Sequence, residues 1–310
     1  MKTKKNFMPV YAFHPGITLR EKLEEMGMSV KEFALRTTKP EKTINAVLNG
    51  SSAVTPDMSV AFEQITMIPA HLWLNLQRNY DEYVARQKRE EICKDPNTIE
   101  WARLFPYTAM AKLGWVSETR VMEEKIMNLF SFFKITSVKA WEDYYLKQEL
   151  KSAFKLSLAH TKYPYSISAW LRQGELLAKK TVIKNAYSEA LLREKLPLMI
   201  LIMKNESASP MELIDCCSES GVKLVYIDHI PHAPVNGCAR WIGETPSIQI
   251  TKGGSELSAF WFTFFHEVGH ILLHGKKDVF LEDKAYFSQQ SEKEAEADAF
   301  AQRILASSDR

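Results

Sequence analysis

His266-Glu267-Val268-Gly269-His270 spaces two imidazoles four residues apart, which on a helix puts both on one face within reach of one cation. Glu267, beside them, is positioned to take a proton from a water that such a cation acidifies. Trp261, Phe262, Phe264, Phe265, Val268, Ile271, Leu272 and Leu273 surround the motif, so this helix is apolar nearly all round and is expected to be buried. Two histidines and a carboxylate are costly to bury without partners, and a coordinated cation offsets that cost.

A third ligand is expected in the stretch from Ser291, where SEKEAEADAFAQRIL reads as a strong helix former. Ser291 and Glu294 have capping-box spacing, but Glu294 and Asp298 also lie one turn apart on one face. Glu294 can then ligate while Asp298 holds a ligand histidine by its other ring nitrogen. Glu292 and Glu296 compete for the role, and Glu296 ranks below Glu294 because no acidic residue stands four positions on. His266, His270 and Glu294 leave a fourth position for water, the arrangement of catalytic rather than structural Zn2+. His274 lies one turn beyond His270. An HExxHxxGxxH ligand set would need histidine at 276, where the chain has Lys276, so His274 is read as a helix-end residue.

The elements that must position this chemistry belong to a chain of 310 residues, 45% hydrophobic and 25% charged, long enough for two or three domains of ordinary globular composition. A net charge of +2 argues neither for nor against nucleic acid. Cys93, Cys216, Cys217 and Cys238 show no CxxC spacing, which fits a reducing compartment. Lys2, Lys4 and Lys5 are followed by no apolar core of a signal peptide. The longest apolar runs, 196–203 and 259–265, are too short to span a bilayer. A cytoplasmic protein without membrane contact is expected.

From Thr18 to about Arg86 the chain reads as short helices. Leu19, Leu23 and Met26 mark the apolar face of the first, which stops at Gly27. Ser29-Val30-Lys31-Glu32 forms a capping box that opens a second helix carrying Phe33, Ala34 and Leu35. After Thr37-Thr38-Lys39, Pro40 fits the first position of a third helix through Ile44, Val47 and Leu48, closed by Asn49-Gly50. Two short helices joined by a three-residue turn suggest a helix-turn-helix. Thr55-Pro56 opens a fourth helix and Pro69 a fifth, containing Trp73-Leu74-Asn75-Leu76.

FHPGITLREKLEEMGMSVKEFALRTTKPEKTINAVLNG, followed by TPDMSVAFEQI and HLWLNLQRNYDEY, resembles the HigA-type antitoxin branch of the Xre helix-turn-helix family over residues 13 to 85. The resemblance implies that the third helix enters the major groove, with Lys42, Thr43 and Asn45 nearest the bases and Ser51 and Ser52 near phosphates. It also implies an operator DNA as partner and a homodimer through this domain. The chain departs from the family in three places: Thr38 stands at the usual turn glycine, Pro40 at the usual N-cap serine, and Glu41 where a basic or amide residue is usual. A carboxylate beside phosphate opposes binding, and residues 1 to 90 hold 13 Lys/Arg against 10 Asp/Glu. A dimerisation or protein-docking module is the alternative.

Residues 93 to 203 read as a helical scaffold, with a break at Asp95-Pro96-Asn97 and helical patterns around 98–113, 118–133, 137–151 and 167–179. Trp101, Phe105, Trp115, Phe130, Phe132, Phe133, Trp141, Tyr144, Tyr145 and Trp170 are expected as core rather than as a base-stacking platform, which would interleave them with Arg and Lys. From residue 204 the pattern changes. Met211 to Ser220 is a helix, 222–227 a strand by β-branched content, and 229–234 a loop with His229 and His232. Residues 239–243 and 247–251 read as paired strands around a Glu244-Thr245-Pro246 turn. The free edge of this small sheet offers main-chain pairing to an extended peptide.

SAFWFTFFHEVGHILLHGKKDVF and EKEAEADAFAQRIL resemble the ImmA/IrrE family of zinc metallopeptidases over residues 205 to 306. The combination with a HigA-like front and a segment such as AWLRQGELLA resembles one recurrent two-module architecture. The resemblance implies that His266, His270 and Glu294 bind zinc, Glu267 is the base and Asp298 supports a ligand. It implies cleavage of helix-turn-helix repressors in mobile-element or stress-response circuits. Relatives often continue some tens of residues past the EADxFA helix, whereas this sequence stops at Arg310.

The expected fold is α+β, mainly α: a helix-turn-helix bundle (1–92), a helical middle (93–203) and a zincin-like metallopeptidase domain with a small sheet (204–310). The expected function is zinc-dependent cleavage of a partner repressor or antitoxin. The alternative is an antitoxin-like regulator whose zinc is structural or sensory. For the group that would stabilise the tetrahedral oxyanion, His229, His232, Arg240 and Tyr286 are all possible on chemistry alone.

Overall fold

In a computed structural model, residues 12–147, 162–205, 209–252, 257–274, 280–283 and 291–308 are described. The chain divides into two compact units between Ile92 and Cys93. Its α+β, mainly helical class agrees with expectation. Among the described residues no helix is long and apolar enough to cross a membrane.

The first unit holds α1 (Pro15–Glu25), α2 (Val30–Arg36), α3 (Glu41–Leu48), α4 (Pro56–Thr66) and most of α5 (Ala70–Lys94). Side-chain caps start three of them: His14 Nδ1 accepts from Gly16 N–H, Ser29 from Glu32 N–H and Thr55 from Met58 N–H. Leu19, Leu23, Phe33, Ile44, Val47, Phe62 and Trp73 close into one core. Phe33, Phe62 and Trp73 form a chain with centroids 5.1 and 5.6 Å apart, each pair adding about 0.5–1.5 kcal/mol beyond area burial.

Three expectations are corrected here. Met26 is the C-cap of α1 and 38% exposed, outside the apolar face that Leu19 and Leu23 bury. Glu32 closes only half of a capping box: its carboxylate accepts from Arg36 at 2.6 Å. Pro40 is the N-cap of α3, with ψ 136°, not its first helical residue. The preceding turn holds Thr38 at φ 54°, a left-handed conformation that suits glycine and strains a β-branched residue.

The second unit begins with α6 (Pro96–Arg103), α7 (Tyr107–Lys112), α8 (Met122–Phe133) and α9 (Val138–Glu142), the last running into a π-helical turn, Asp143–Lys147. The expected helical pattern over 98–113 is two helices, because Pro106 lacks an N–H and caps the second. The pattern at 118–133 starts as a helix only at Met122. Of the pattern at 137–151, residues 148–151 lie outside the described residues. Next come α10 (Pro164–Lys180), α11 (Glu189–Lys204) and α12 (Pro210–Glu219). The sequence reading held no separate helix over α11, where Pro197 sits inside. Of the expected aromatic core, Trp101, Phe105, Phe130, Phe132, Phe133, Trp141 and Tyr145 pack with Trp170 of α10, whereas Trp115 is only partly buried and Tyr144 is 38% exposed.

β1 (Lys223–Asp228), β2 (Val235–Ile242), β3 (Thr245–Lys252) and β4 (Phe280–Asp283) form a sheet in the order β1-β3-β2-β4. β1 runs parallel to β3, and β2 is antiparallel to both β3 and β4. Ile242 pairs with Thr245, so the hairpin turn is Gly243-Glu244 with Gly243 at φ 64°, earlier than the expected 244–246 turn. Pro246 lies in β3 just before its pairing with β1 begins at Ser247, so its missing N–H costs that ladder nothing. Alternate residues face two layers. Val225, Ile227 and Cys238 join the aromatic core on the α10 side. Leu224, Ala239, Ile248 and Ile250 pack on the other side against α13 (Leu257–Leu273), with Phe300 of α14 (Ser291–Ser308) in the same cluster.

Candidate metal centre

The HExxH stretch lies on α13, where Thr263 to Leu272 are all buried. His266 and His270 project from the same face and their Nε2 atoms approach to 2.9 Å. Glu294 arrives from the first turn of α14 and sets Oε2 3.2 Å from His266 Nε2 and 3.5 Å from His270 Nε2. The close crossing of the two helices rests on Gly269. A Cβ there would lie 3.3 Å from Ala297 Cα and 3.2 Å from Phe300 Cδ1.

Asp298, one turn along α14 from Glu294, accepts from His266 Nδ1 at 2.8 Å. A carboxylate only accepts, so Nδ1 carries a proton, and this bond holds the ring with Nε2 facing His270 and Glu294. Burial pulls His270 down to about 4, with the neighbouring His266 and His274 rings adding to the effect, so the ring is neutral at pH 7. Burial pushes the Glu294 carboxyl up, but hydrogen bonds from both histidines outweigh it and hold the group at about 2. Two imidazoles, that of His270 neutral, and an ionised carboxylate therefore converge.

The donor set fits a zinc ion. Tetrahedral zinc with bonds of ~2.0–2.1 Å sets its ligand atoms about 3.3 Å apart, and the three observed separations are 2.9, 3.2 and 3.5 Å. Among the described residues these three side chains form the one His/Cys/Asp/Glu group compact enough to share an ion. Glu292 is exposed. Glu296 is also exposed and leans toward His274, its Oε2 3.7 Å from His274 Nδ1.

Glu267 is fully buried against β2. A Cβ at Gly237 would fall 2.7 Å from Glu267 Oε1 and 2.6 Å from Thr263 Cγ2, so only glycine lets that strand lie against the carboxylate. Neither Gly237 nor Gly269 emerged from the sequence reading. An isolated glycine inside a strand is the signal that could have found the first. His274 does more than end its helix: its Nε2–H donates to Lys293 O at 3.0 Å, which ties the end of α13 to the start of α14.

The possible oxyanion groups scatter. Arg240 points to the opposite face of the sheet, where Nη2 donates to Leu171 O at 2.9 Å. His229 is exposed, and His232 stacks on Tyr163 with centroids 5.0 Å apart. Tyr286 lies outside the described residues. In the first unit Lys42, Asn45 and Ser51 are exposed and Thr43 and Ser52 half-buried. Ser51 and Ser52 N–H both donate to Ala46 O, which folds this loop back onto the C-terminal turn of α3. Lys39 pairs with Asp57 rather than projecting freely.

Residues 217–308 match the IrrE N-terminal-like domain, Peptidase_M78. At the other end, virulence-associated protein I of Dichelobacter nodosus is 34% identical over 89 residues, covering 28% of this chain and 81% of that protein. An uncharacterised HTH-type transcriptional regulator, YddM of Escherichia coli K12, is 33% identical over 63 residues, covering 20% of this chain and 67% of that one. An addiction-module antidote protein of the HigA family from Coxiella burnetii is 32% identical, covering 24% of this chain and 84% of that chain at a TM-score of 0.24.

Proposed function

Belonging as it does to the HigA/Xre-type helix-turn-helix regulators over its front and carrying an IrrE-like peptidase-family domain behind, this chain is, we propose, a cytoplasmic zinc endopeptidase that cleaves a partner repressor or antitoxin. The observation that carries the reading is the convergence of His266, His270 and Glu294 beside a buried Glu267. Four free cysteines fit a reducing compartment.

His266, His270 and Glu294 would hold the zinc, which when bound supplies Lewis acidity toward a water and the scissile carbonyl. Asp298 fixes the tautomer and orientation of His266. Glu267 takes up the water's proton on a carboxylate oxygen and delivers it to the leaving amine, a role that contributes about 10²–10⁴-fold. Gly237 keeps the strand against that carboxylate, so its position is set by backbone rather than by a mobile side chain. The first unit docks on an operator through Lys42, Thr43 and Asn45 of α3, with Ser51 and Ser52 beside the phosphates, and brings the peptidase to related regulators.

One observation favours a second reading, a regulator with a sensory zinc and no proteolysis: Glu267 has no solvent exposure at all. Co-expression of wild type and Glu267→Gln with regulators encoded nearby, followed by intact mass, separates the two. The amide cannot accept and return the proton, so a fragment seen with wild type alone supports the peptidase. Intact partners under inducing conditions, with zinc bound, favour the sensor.

A further inference from the structure

On the sheet face turned away from Glu267, the second unit buries side-chain donors that find no acceptor. Arg172 of α10 is 5% exposed; its Nε donates to Phe132 O at 2.8 Å and its Nη1 to Glu175 at 2.7 Å. Lys179 pairs with the same carboxylate. Arg240 of β2 donates from Nη2 to Leu171 O. Arg172 and Lys179 thus share the Glu175 carboxylate, and Arg240 acts on it only through space. Arg172 Nη2, Arg240 Nε and Gln249 Nε2 are buried without an acceptor, and all three are donors.

These groups lie together. Arg240 pairs with Ser247 and Cys238 with Gln249 across the β2–β3 ladder, so Arg240 and Gln249 share one face. The α10 turn from Leu171 to Glu175 covers that face: Leu171 takes the Arg240 bond, and Gly174 leaves room for the Gln249 side chain, whose Oε1 a Cβ there would meet at 2.1 Å. Tyr144, in the π-helical turn, lies in the electrostatic reach of Arg240, Arg172, Lys179 and Glu175. Burial and then Glu175 raise its hydroxyl above the ordinary tyrosine value, so it stays a donor. A buried donor without an acceptor is costly, and π-helical turns recur at functional sites.

We propose that Arg172, Arg240 and Gln249, with Tyr144 at the rim, form a binding site for a small carboxylate. Two guanidinium N–H groups held by separate elements match the two oxygens of one carboxylate, and Gln249 adds a neutral donor. The buried donors are out of solvent's reach, so the ligand enters as Tyr144 swings aside. The site lies on the sheet face opposite Glu267, so binding there does not rest on the peptidase reading.

Calorimetric titration of the full chain tests binding with acetate, with inorganic phosphate, and with chloride at matched ionic strength. A saturable single site for acetate, weakened roughly thirty-fold in Arg240→Met and about five-fold in Tyr144→Phe, is expected. Glu267→Gln should bind acetate like wild type, so failure of the peptidase reading leaves this result standing. Saturable binding of phosphate alone overturns the carboxylate assignment. No saturable heat, or acetate binding unchanged in both Arg240→Met and Tyr144→Phe, overturns the site. Should Arg240→Met fail to fold, Tyr144→Phe decides, because its half-exposed ring reports on ligand contact with little effect on the core.

Discussion

At the scale of single residues, the assignment of Glu294 over its acidic neighbours is the most exposed to test. Glu294 lies within 3.5 Å of both histidines, whereas Glu296 reaches only His274. Glu294→Ala should lose most of the bound zinc and Glu296→Ala should retain about one ion per chain, as read by metal analysis of the purified proteins. The reverse pattern would move the third ligand. Thr38 offers a separate test in the first unit. Its left-handed backbone costs a non-glycine residue ~1–2 kcal/mol, and glycine recovers part of that after its own entropy loss. Thr38→Gly should stabilise the first unit by roughly 0.5–1 kcal/mol, seen as slower amide exchange at Leu19 and Phe33. Unchanged or faster exchange would mean that the Thr38 hydroxyl bond to Thr37 O matters more than the strain.

At the scale of elements, the placement of the Glu267 carboxylate depends on where β2 lies against α13. Gly237→Ala forces a methyl group to within 3 Å of Glu267 Oε1, and the carboxylate has to give way because the strand is pinned on both sides by β3 and β4. The expected outcome is a folded, zinc-loaded protein whose partner cleavage falls by about 10²-fold or more; cleavage at the wild-type rate would show that the base tolerates displacement. This strand also marks where reading the sequence stopped short. The HExxH helix was legible because its ligands are local and periodic, and Glu294 because it shares a helical face with Asp298. Gly237 was not, since its meaning depends on a contact thirty residues away in the chain (Glu267). The helix at Glu189–Lys204 was hidden by Pro197 and the strand at Phe280–Asp283 by its length of four residues. The Arg172–Arg240 cluster joins a helix to a strand by tertiary packing alone, and no spacing rule reports that.

At the scale of the whole molecule, a net charge of +2 gives no general attraction to DNA, so the operator binding proposed above falls to a few local cations. Lys39 is engaged by Asp57 and Glu41 stands in the first turn of α3, so Lys42 carries much of the remaining attraction. Binding to the chain's own promoter region should weaken steeply with salt, and Lys42→Ala should lower the slope of log affinity against log salt by about one. An absence of binding at low salt would assign the first unit to protein docking.

The helix that brings Glu294 follows His270 by some twenty residues, and synthesis runs from the N-terminus with domains folding as they emerge. A nascent chain therefore displays both histidines and Glu267 before it owns a third ligand, and it cannot hold its metal in the catalytic arrangement while it is still being made. On the peptidase function proposed above, the chain is therefore inactive until its last helix is made. The order of synthesis then supplies the delay that a removable propeptide supplies elsewhere.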